Sequence, residues 1–386
     1  MALNLEQLLQ PAPGGVGRYT AKLARLLPGL EGEPGDAITL VPFVARHATG
    51  QVRGALREFD LDGLDPVVAP LPRPLLYDAW HVLGFPALRH LGRRLRDIDV
   101  VHAPSVAVPP RGDAPLVVTA HDAAPLLFPE TYPRRGRWFH ERGLAAAATR
   151  ADLVITVSYA AADELTAHTA IAADRIRVVP NGVDLTVAGA DDVARVRDAF
   201  GLDDRPFLLW VGSLEPRKNV GLLARAFAAW AASSAHDHRL VLAGPPGWVE
   251  DEAATLAPLQ PLGDRVRTIG RVDDGVLRGL YRGADLFLFP SRHEGFGLPA
   301  LEAMAQGTAV VCADIPALRE VAGDAARRLP VDDVGAWTDA IEELLSDDGA
   351  RAALARAGVE RAQGFSWERC AAATRDVYTE VRRANS

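Results

Sequence analysis

The sequence predicts an α/β protein made of two doubly wound, Rossmann-like domains. The chain has 386 residues, a length that favours two domains over one or three. Short apolar segments typical of buried parallel strands alternate with helical segments in both halves. In each half a glycine-rich loop joins a strand to a helix, at the edge where such sheets bind their ligands.

The domain boundaries follow from where this alternation pauses. We expect an N-terminal domain over residues 1–185 and a C-terminal domain over residues 206–365. The stretch between them, 186–205, is charged and contains Gly201, so we interpret it as a linker. Residues 366–386 are predicted to form a helix that is capped by Ser366 and packs back on the N-terminal domain.

Composition excludes several classes of protein. The formal net charge of -8 argues against a general nucleic-acid binder. The two cysteines, Cys312 and Cys370, lie in separate elements, which favours a reducing cytoplasm over a disulfide framework. No Cys/His spacing suits zinc, no apolar run is long enough to span a bilayer, and the N-terminus lacks the basic start of a signal peptide. We therefore expect a cytoplasmic protein whose membrane contact, if any, is peripheral.

The first strand, residues 2–5, leads into a loop with three glycines, Gly14, Gly15 and Gly17, and then into a helix. A dinucleotide site is disfavoured because G-x-G-x-x-G is not completed and no acid ends a second strand at the expected offset. Further strands are predicted at residues 38–44 and 66–69. Two D-x-D triplets, at 60–62 and 97–99, lie in a loop and before a strand, and we interpret both as ordinary surface acids rather than metal ligands.

Two basic clusters follow in the N-terminal half. Residues 86–96 are predicted to form an amphipathic helix with Leu88, Leu91 and Leu95 on its apolar side and four arginines on the other. A second cluster, at 134–139, combines arginines with Trp138 and Phe139. Such a face is either a solvated surface or a contact to anionic lipid, and the sequence leaves both readings open.

The next strands are predicted at residues 115–120 and 151–158, the second ending in Ser158 as the N-cap of a helix. His121 directly follows the first of them. A histidine at the carboxyl end of a parallel strand lies where α/β sheets bind ligands, although a structural loop histidine fits equally well.

The C-terminal half begins with a strand at 207–212, the loop Ser213-Leu214-Glu215-Pro216-Arg217-Lys218-Asn219, and a helix from Val220. Two adjacent cations between a strand and a helix suit phosphate binding, and Lys218 is one of very few lysines in the chain. More strands are predicted at 239–243, 266–269 and 308–312.

The most informative stretch follows the apolar strand 285–289. It reads Ser291-Arg292-His293-Glu294-Gly295-Phe296-Gly297-Leu298-Pro299-Ala300-Leu301-Glu302. Its glycines allow backbone to approach a ligand closely, and Pro299 suits the first turn of a helix whose N-terminus favours anions. Amides that attract phosphate, flanked by two carboxylates that accept from hydroxyls, suit a ligand with phosphates and a sugar.

The E-x7-E pair Glu294 and Glu302 around G-F-G-L-P resembles the donor-sugar motif of glycosyltransferase family four. Members of this family are retaining enzymes with the GT-B fold, so the resemblance implies two doubly wound domains that face each other across a cleft. The resemblance covers nearly the whole chain and is strongest from Val178 to Ala322. The G-S-L-E-P-R-K-N loop is most similar to that of bacterial mannosyl- and rhamnosyltransferases.

The resemblance assigns roles to individual residues. His121, Glu294 and Lys218 are implied as catalytic. Donor binding is implied for a larger set, namely Gly14, Gly15, Gly17, Arg217, Gly295, Phe296, Gly297, Leu298 and Glu302. Within it Glu302 binds the ribose hydroxyls, while Glu294 and the amides of 295–298 contact the sugar. The chain departs from the family at Ser213, where many members have arginine, and at Asn219, where many have glycine; Arg217 is the candidate for the missing charge.

The function implied is retaining transfer of a hexose, mannose or a deoxyhexose, from a nucleotide-diphospho-sugar to a hydroxyl on a glycan or lipid-linked acceptor, in cell-envelope polysaccharide synthesis. The nucleotide sugar is a substrate, and no cofactor, metal or nucleic acid is expected. Family members that act on lipid-linked acceptors dock through the N-terminal domain, so the basic clusters suggest a peripheral contact to the inner face of the membrane. Two alternatives remain: a GT-B sugar-nucleotide epimerase and a nicotinamide-dependent Rossmann enzyme.

Overall fold

The computed structural model describes residues 1–30, 37–247 and 251–385. The chain divides into two units. Unit 1 comprises Met1–Gly182 together with the residues from Trp367 onward, and unit 2 comprises Val183–Ser366. The first boundary lies three residues before the predicted one at 185, and the last helix belongs to unit 1.

Unit 1 is built on a seven-stranded parallel sheet with strand order β3-β2-β1-β4-β5-β6-β7. Its strands are β1 Ala2–Asn4, β2 Val41–Val44, β3 Val67–Val68, β4 Val101–Ala103, β5 Leu116–Thr119, β6 Leu153–Thr156 and β7 Ile176–Val178. The central strands are buried on both faces because helices cover them, which explains their nearly uninterrupted apolar sequences.

In the described part of unit 1, seven α-helices accompany this sheet. They are α1 Gly14–Leu26, α2 Thr49–Glu58, α3 Arg73–Asp78, α4 Ala124–Leu127, α5 Arg134–Arg150, α6 Tyr159–His168 and the C-terminal helix, Trp367–Ala384. Helix α3 continues as π-helix over Ala79–Leu83 and buries Trp80 in the core. Ser158 caps α6 as predicted, since its Oγ accepts from the amide of Ala161 at 3.0 Å.

Unit 2 contains a six-stranded parallel sheet with order β10-β9-β8-β11-β12-β13, the arrangement of a doubly wound dinucleotide-type fold. Its strands are β8 Phe207–Val211, β9 Arg239–Ala243, β10 Val266–Ile269, β11 Leu286–Phe289, β12 Ala309–Ala313 and β13 Arg327–Leu329. Its helices are α7 Ala190–Ala199, α8 Val220–Ser233, α9 Glu252–Leu256, α10 Asp274–Gly283, α11 Leu298–Ala305, α12 Pro316–Ala322, α13 Val334–Ser346 and α14 Asp348–Ala362. The C-terminal helix of unit 1 is accordingly α15.

The linker prediction for 186–205 is wrong, because half of this stretch is helix α7 of unit 2. The carboxylate of Asp192 accepts from the amide of Gly189 at 2.8 Å and closes the first turn. Val196 is buried against α10, where a Cβ on Gly279 would lie only 2.7 Å from its Cγ2. The charges that suggested a linker therefore line the exposed side of an amphipathic helix.

The predicted helix over 86–96 is also wrong. Two short 3-10 turns, Leu88–His90 and Arg93–Leu95, replace it, separated by an extended Gly92. Gly92 lies so close to β3 that a Cβ there would be 2.6 Å from Cγ1 of Val67. The leucines 88, 91 and 95 are nevertheless buried. Leu88 and Leu91 are three residues apart, a spacing that a 3-10 turn brings to one side, and Leu95 lies in the second turn.

Helix α15 makes a buried polar contact with the sheet of unit 1. The Tyr378 hydroxyl lies 2.7 Å from Nδ1 of His102 on β4, and Nε2 of His102 lies 2.8 Å from Oγ1 of Thr119 on β5. His102 and Thr119 are completely buried, so this chain of hydrogen bonds ties α15 to the centre of the sheet. Among the described helices, none is both long and apolar enough to cross a bilayer.

Candidate functional site

The candidate site of unit 2 lies where its strand order reverses, between the neighbouring strands β8 and β11. In doubly wound sheets the loops that leave the carboxyl ends of two such strands form the ligand-binding crevice. The loop after β8 carries Arg217 and Lys218, and the loop after β11 carries Glu294. The topology thus joins two sequence motifs that are more than seventy residues apart.

The three side chains are in direct contact. Nζ of Lys218 donates to Oε1 of Glu294 at 2.7 Å, and Nη1 of Arg217 lies 3.3 Å from the other carboxylate oxygen. The same Nη1 donates to the carbonyl of His293 at 2.7 Å. These side chains are no more than 13 % exposed, so the ion pairs are only weakly screened by water.

Glu215 completes this arrangement and was given no role in the sequence analysis. Its Oε2 lies 3.3 Å from Nη2 of Arg217, and its carboxylate also accepts from the hydroxyl of Ser213. Arg217 is therefore held between two carboxylates, those of Glu215 and Glu294. We call Glu215, Arg217, Lys218 and Glu294 the charge quartet; with two acids and two bases it has no net charge.

The charge quartet determines the ionisation of Glu294. Burial alone would raise the pKa of this carboxyl, but the charges of Lys218 and Arg217 outweigh burial and lower the pKa from 4.5 to about 2. A carboxyl whose pKa falls on folding stabilises the fold above its unfolded pKa of 4.5. This stabilising contribution is lost as the pH falls from 4.5 through 2. The Glu294 carboxyl is therefore ionised at neutral pH and stays ionised in mild acid.

Asn219 lies at a position where the resemblance implies glycine in many family members. Its backbone is left-handed, with φ of 54°, a conformation that glycine adopts freely and asparagine tolerates better than most residues. Its Nδ2 donates to the carbonyls of Pro290, at 3.2 Å, and Val331, at 2.8 Å. Asn219 thus adopts a turn conformation that suits glycine and fixes the loop after β8 to the loop after β11.

The loop after β11 ends at Gly297, which precedes helix α11. Gly297 has φ of 103°, and a Cβ at this position would lie 2.5 Å from Cδ2 of Leu318. Phe296 and Leu298 are at least nine-tenths buried, and Phe296 packs edge to face on Phe365. Their side chains belong to the core, so only their backbone amides are placed to meet a ligand.

Glu302 lies on the second turn of α11. Its Oε2 accepts from the hydroxyl of Tyr281 on α10 at 3.1 Å. Tyr281 was not singled out from the sequence. A tyrosine two turns before a strand is too common a pattern to indicate a partner for Glu302.

The remaining predicted site residues belong to unit 1. His121 follows β5, and its Nε2–H donates to the carbonyl of Pro104 at 3.0 Å. Burial lowers the pKa of His121 despite the opposing effects of that carbonyl and Asp122, which keeps the imidazole neutral near pH 7. The ring of Tyr19, on α1, packs edge to face against it with centroids 5.1 Å apart.

The three N-terminal glycines do not form a loop, contrary to prediction. They form the first turn of α1, which begins at Gly14. Gly14 has φ of 58°, so a side chain there would be strained. Gly17 is required for packing, because a Cβ would lie 2.3 Å from that of Pro13. Backbone conformation at Gly14 and packing at Gly17 therefore favour glycine at these two positions whether or not a ligand binds there.

Comparisons with known proteins agree on a common group. A family model described as Glycosyltransferase Family 4 matches residues 13–187, and one described as Glycosyl transferases group 1 matches residues 192–361. O-antigen chain mannosyltransferase B of Escherichia coli is 32% identical over 310 residues, 79% of this chain and 80% of that protein. A D-inositol 3-phosphate glycosyltransferase of Xylanimonas cellulosilytica is 35% identical over 289 residues, 70% of this chain and 67% of that protein.

Solved structures support the same architecture. Anabaena Alr3699/HepE, crystallised with UDP and glucose, has a TM-score of 0.74 at 19% identity over 98% of this chain and 99% of its own. Sucrose-phosphate synthase of Thermosynechococcus elongatus has a TM-score of 0.73 at 22% identity over 99% of both chains. At such identities the likeness establishes the fold, and it does so over both units.

Proposed function

This chain belongs to glycosyltransferase family four and has the GT-B fold, and from that premise we propose that it transfers a hexose from a nucleotide-diphospho-sugar to an acceptor hydroxyl with retention of configuration. The observation that carries the proposal is the contact of Arg217 and Lys218 with Glu294 at the switch point of unit 2. Two cations at this place suit a diphosphate, and the adjoining carboxylate suits sugar hydroxyls.

The chemistry follows from where charge develops. The bond between the anomeric carbon and the diphosphate oxygen breaks while the acceptor oxygen bonds to the same face of that carbon, and the acceptor proton leaves with the diphosphate. Negative charge grows on the departing phosphate, where Lys218, Arg217 and the amides at the start of α11 stabilise it. Because these groups supply the positive charge, the proposed reaction proceeds without a metal ion.

We take mannose as the first sugar to test and a deoxyhexose as the second. A relative supports this choice: the E. coli protein that this chain matches over 80% of that protein's length is described as an O-antigen chain mannosyltransferase. The same relative supports a role in cell-envelope polysaccharide synthesis, and we place the reaction in the cytoplasm, where nucleotide sugars are made.

A panel of nucleotide sugars tests the function. We expect the purified protein to release nucleoside diphosphate from one of them, with GDP-mannose as the first candidate, equally well in buffer with EDTA and with added Mg²⁺. Lys218→Ala serves as the inactive control. Interconversion of sugar epimers without release of diphosphate would instead identify an epimerase, and inertness toward the whole panel would contradict the proposal.

The proposed role of Glu302 gives a quantitative prediction. Glu302→Ala should weaken the binding of plain nucleoside diphosphate by about 10- to 100-fold, because ribose hydroxyls lose a charged acceptor. Isothermal titration with GDP, UDP, dTDP and ADP measures the effect once the preferred base is known. Glu320→Ala, which removes an acid from the following helix α12, is the matched control and should bind as the unmodified protein does.

We further propose that unit 1 contacts anionic lipid, as a lipid-linked acceptor would require. The predicted basic helix does not exist, and two of its arginines are engaged in surface ion pairs, Arg89 with Asp113 and Arg94 with Asp65. The support comes instead from a neighbouring segment that exposes large apolar side chains, Leu75, Val82, Leu83 and Phe85. Arg73 precedes this segment, and α5 carries Arg134, Arg135 and Arg137, of which Arg135 pairs with Asp78 and Arg137 with Glu141. Basic residues near a membrane surface attract anionic lipid.

Vesicle sedimentation tests the membrane contact. We expect binding to phosphatidylglycerol-containing vesicles but not to phosphatidylcholine alone, with release at high salt. Leu83→Asp together with Phe85→Asp should reduce binding at least tenfold, since both side chains lose their apolar contact with the acyl region. Tyr159→Asp removes an equally exposed aromatic residue elsewhere on unit 1 and should have little effect. No binding to either vesicle would indicate a soluble acceptor.

A further inference from the structure

The proposed chemistry assigns no role to Tyr281. It lies on α10, is only 1% exposed, and directs its hydroxyl at Oε2 of Glu302 on the neighbouring helix α11, 3.1 Å away. Its ring packs edge to face on Phe287 of β11, with centroids 5.2 Å apart and planes at 76°. The phenol is therefore fixed by the strand that also carries the loop of Glu294.

In the hydrogen bond between Tyr281 and Glu302, the donor and the acceptor can be assigned. A phenol hydroxyl donates, and an ionised carboxylate can only accept, so the proton lies on Tyr281 and the charge on Glu302. Hydrogen bonds with one ionised partner are stronger than neutral ones. At 1% exposure Tyr281 is too deeply buried to bind a ligand itself, and its hydrogen bond to Glu302 is a route by which it can influence one.

We propose that Tyr281 is a positioning residue for nucleotide recognition: by holding Oε2 of Glu302 it fixes the carboxylate in the orientation that accepts from the ribose hydroxyls. This inference rests on the role proposed above for Glu302. A glutamate on the surface of a helix has several rotamers, and restricting them before the ligand arrives lowers the entropic cost of binding. Tyr281 provides that restriction from the protein side.

Tyr281→Phe is the sharpest test, because it removes the hydroxyl and keeps the ring on Phe287. We expect the Kd for the preferred nucleoside diphosphate to rise about tenfold, as for the loss of a hydrogen bond to a charged group. The probe is whichever of GDP, UDP, dTDP and ADP gives the largest thermal shift. The kcat at saturating donor should remain within about twofold, since Tyr281 does not touch the reacting atoms.

The 2′,3′-dideoxy form of the same nucleotide separates positioning from general damage. It offers no ribose hydroxyls to Glu302, so Tyr281→Phe and the unmodified protein should bind it with equal affinity. A purely structural role would weaken both nucleotides to the same extent. Equal weakening would overturn the proposal, and so would unchanged binding of the normal nucleotide by Tyr281→Phe.

Two further variants make the outcome unambiguous. Tyr77→Phe also removes a buried phenol hydroxyl, but in unit 1, and should leave nucleotide affinity unchanged. Glu302→Ala tests the premise separately. If it binds the normal nucleotide as tightly as the unmodified protein, the role of Glu302 is wrong; if it binds weakly while Tyr281→Phe does not, only the positioning role is wrong.

Discussion

Lys218→Ala is expected to lower kcat by about 10²- to 10³-fold, the loss typical when one group that stabilises developing negative charge is removed. The ammonium lies 2.7 Å from Glu294 at the switch point of unit 2 and carries the most concentrated positive charge in that loop. Because its effect is largest when charge has moved onto the departing phosphate, kcat should fall more than the affinity for substrate. Steady-state kinetics at saturating donor measures this loss.

The chain offers an unusually clean control for this substitution. Lys22, on α1, is the other lysine of the sequence, and Lys22→Ala removes the same side chain from unit 1. We expect Lys22→Ala to retain kcat within a few-fold and both variants to show cooperative thermal unfolding. The fold should survive Lys218→Ala because Arg217 still neutralises Glu294. A Lys218→Ala enzyme with near-normal kcat would refute the assignment.

Glu294→Ala should lower kcat by about 100-fold or more, because the sugar loses a charged hydrogen-bond acceptor that acts during transfer. The affinity for plain nucleoside diphosphate should change by less than about tenfold, since Glu294 contributes no positive charge to the diphosphate. Removing it takes a carboxylate away from both Arg217 and Lys218, so any change in diphosphate affinity should be a gain.

Comparison with Glu302→Ala measures this division of roles. Titration of nucleoside diphosphate into both variants should show a large loss for Glu302→Ala and little or none for Glu294→Ala, while turnover shows the opposite order. Glu294→Gln keeps the size of the side chain and distinguishes loss of charge from loss of volume. Equal losses of affinity in the two alanine variants would contradict separate roles for sugar and ribose.

The sheets could be predicted from the sequence because their central strands are short, uninterrupted apolar runs. The prediction of residues 285–289 differs from the observed β11 by one residue. Both loops of the charge quartet could also be predicted. Each connects a strand directly to a helix, and each contains either glycines or adjacent cations. What the sequence could not give is their contact, since β9 and β10 intervene between β8 and β11 and only the reversal of strand order makes the two neighbours.

The errors have equally specific causes. Leucines at 88, 91 and 95 fit a helix and two 3-10 turns alike, and only the close approach of Gly92 to Val67 decides between them. The many charged residues of α7 obscured the helical spacing of its apolar residues. Tyr281 and Glu215 escaped notice because their importance lies in the partners they hold, and a partner brought together by packing leaves no local pattern in the sequence.

The assignment of α15 to unit 1 has a consequence for how the protein is made. The ribosome completes unit 2 before it delivers the helix that supplies Tyr378 to His102, so unit 1 waits for its last element while the intervening residues are synthesised. At roughly 5–20 residues per second this takes about ten to forty seconds. A fragment ending at residue 182 would expose the surface that α15 covers and leave His102 without its Tyr378 partner. The continuous segment 183–366 is therefore the natural choice for expression of one unit alone.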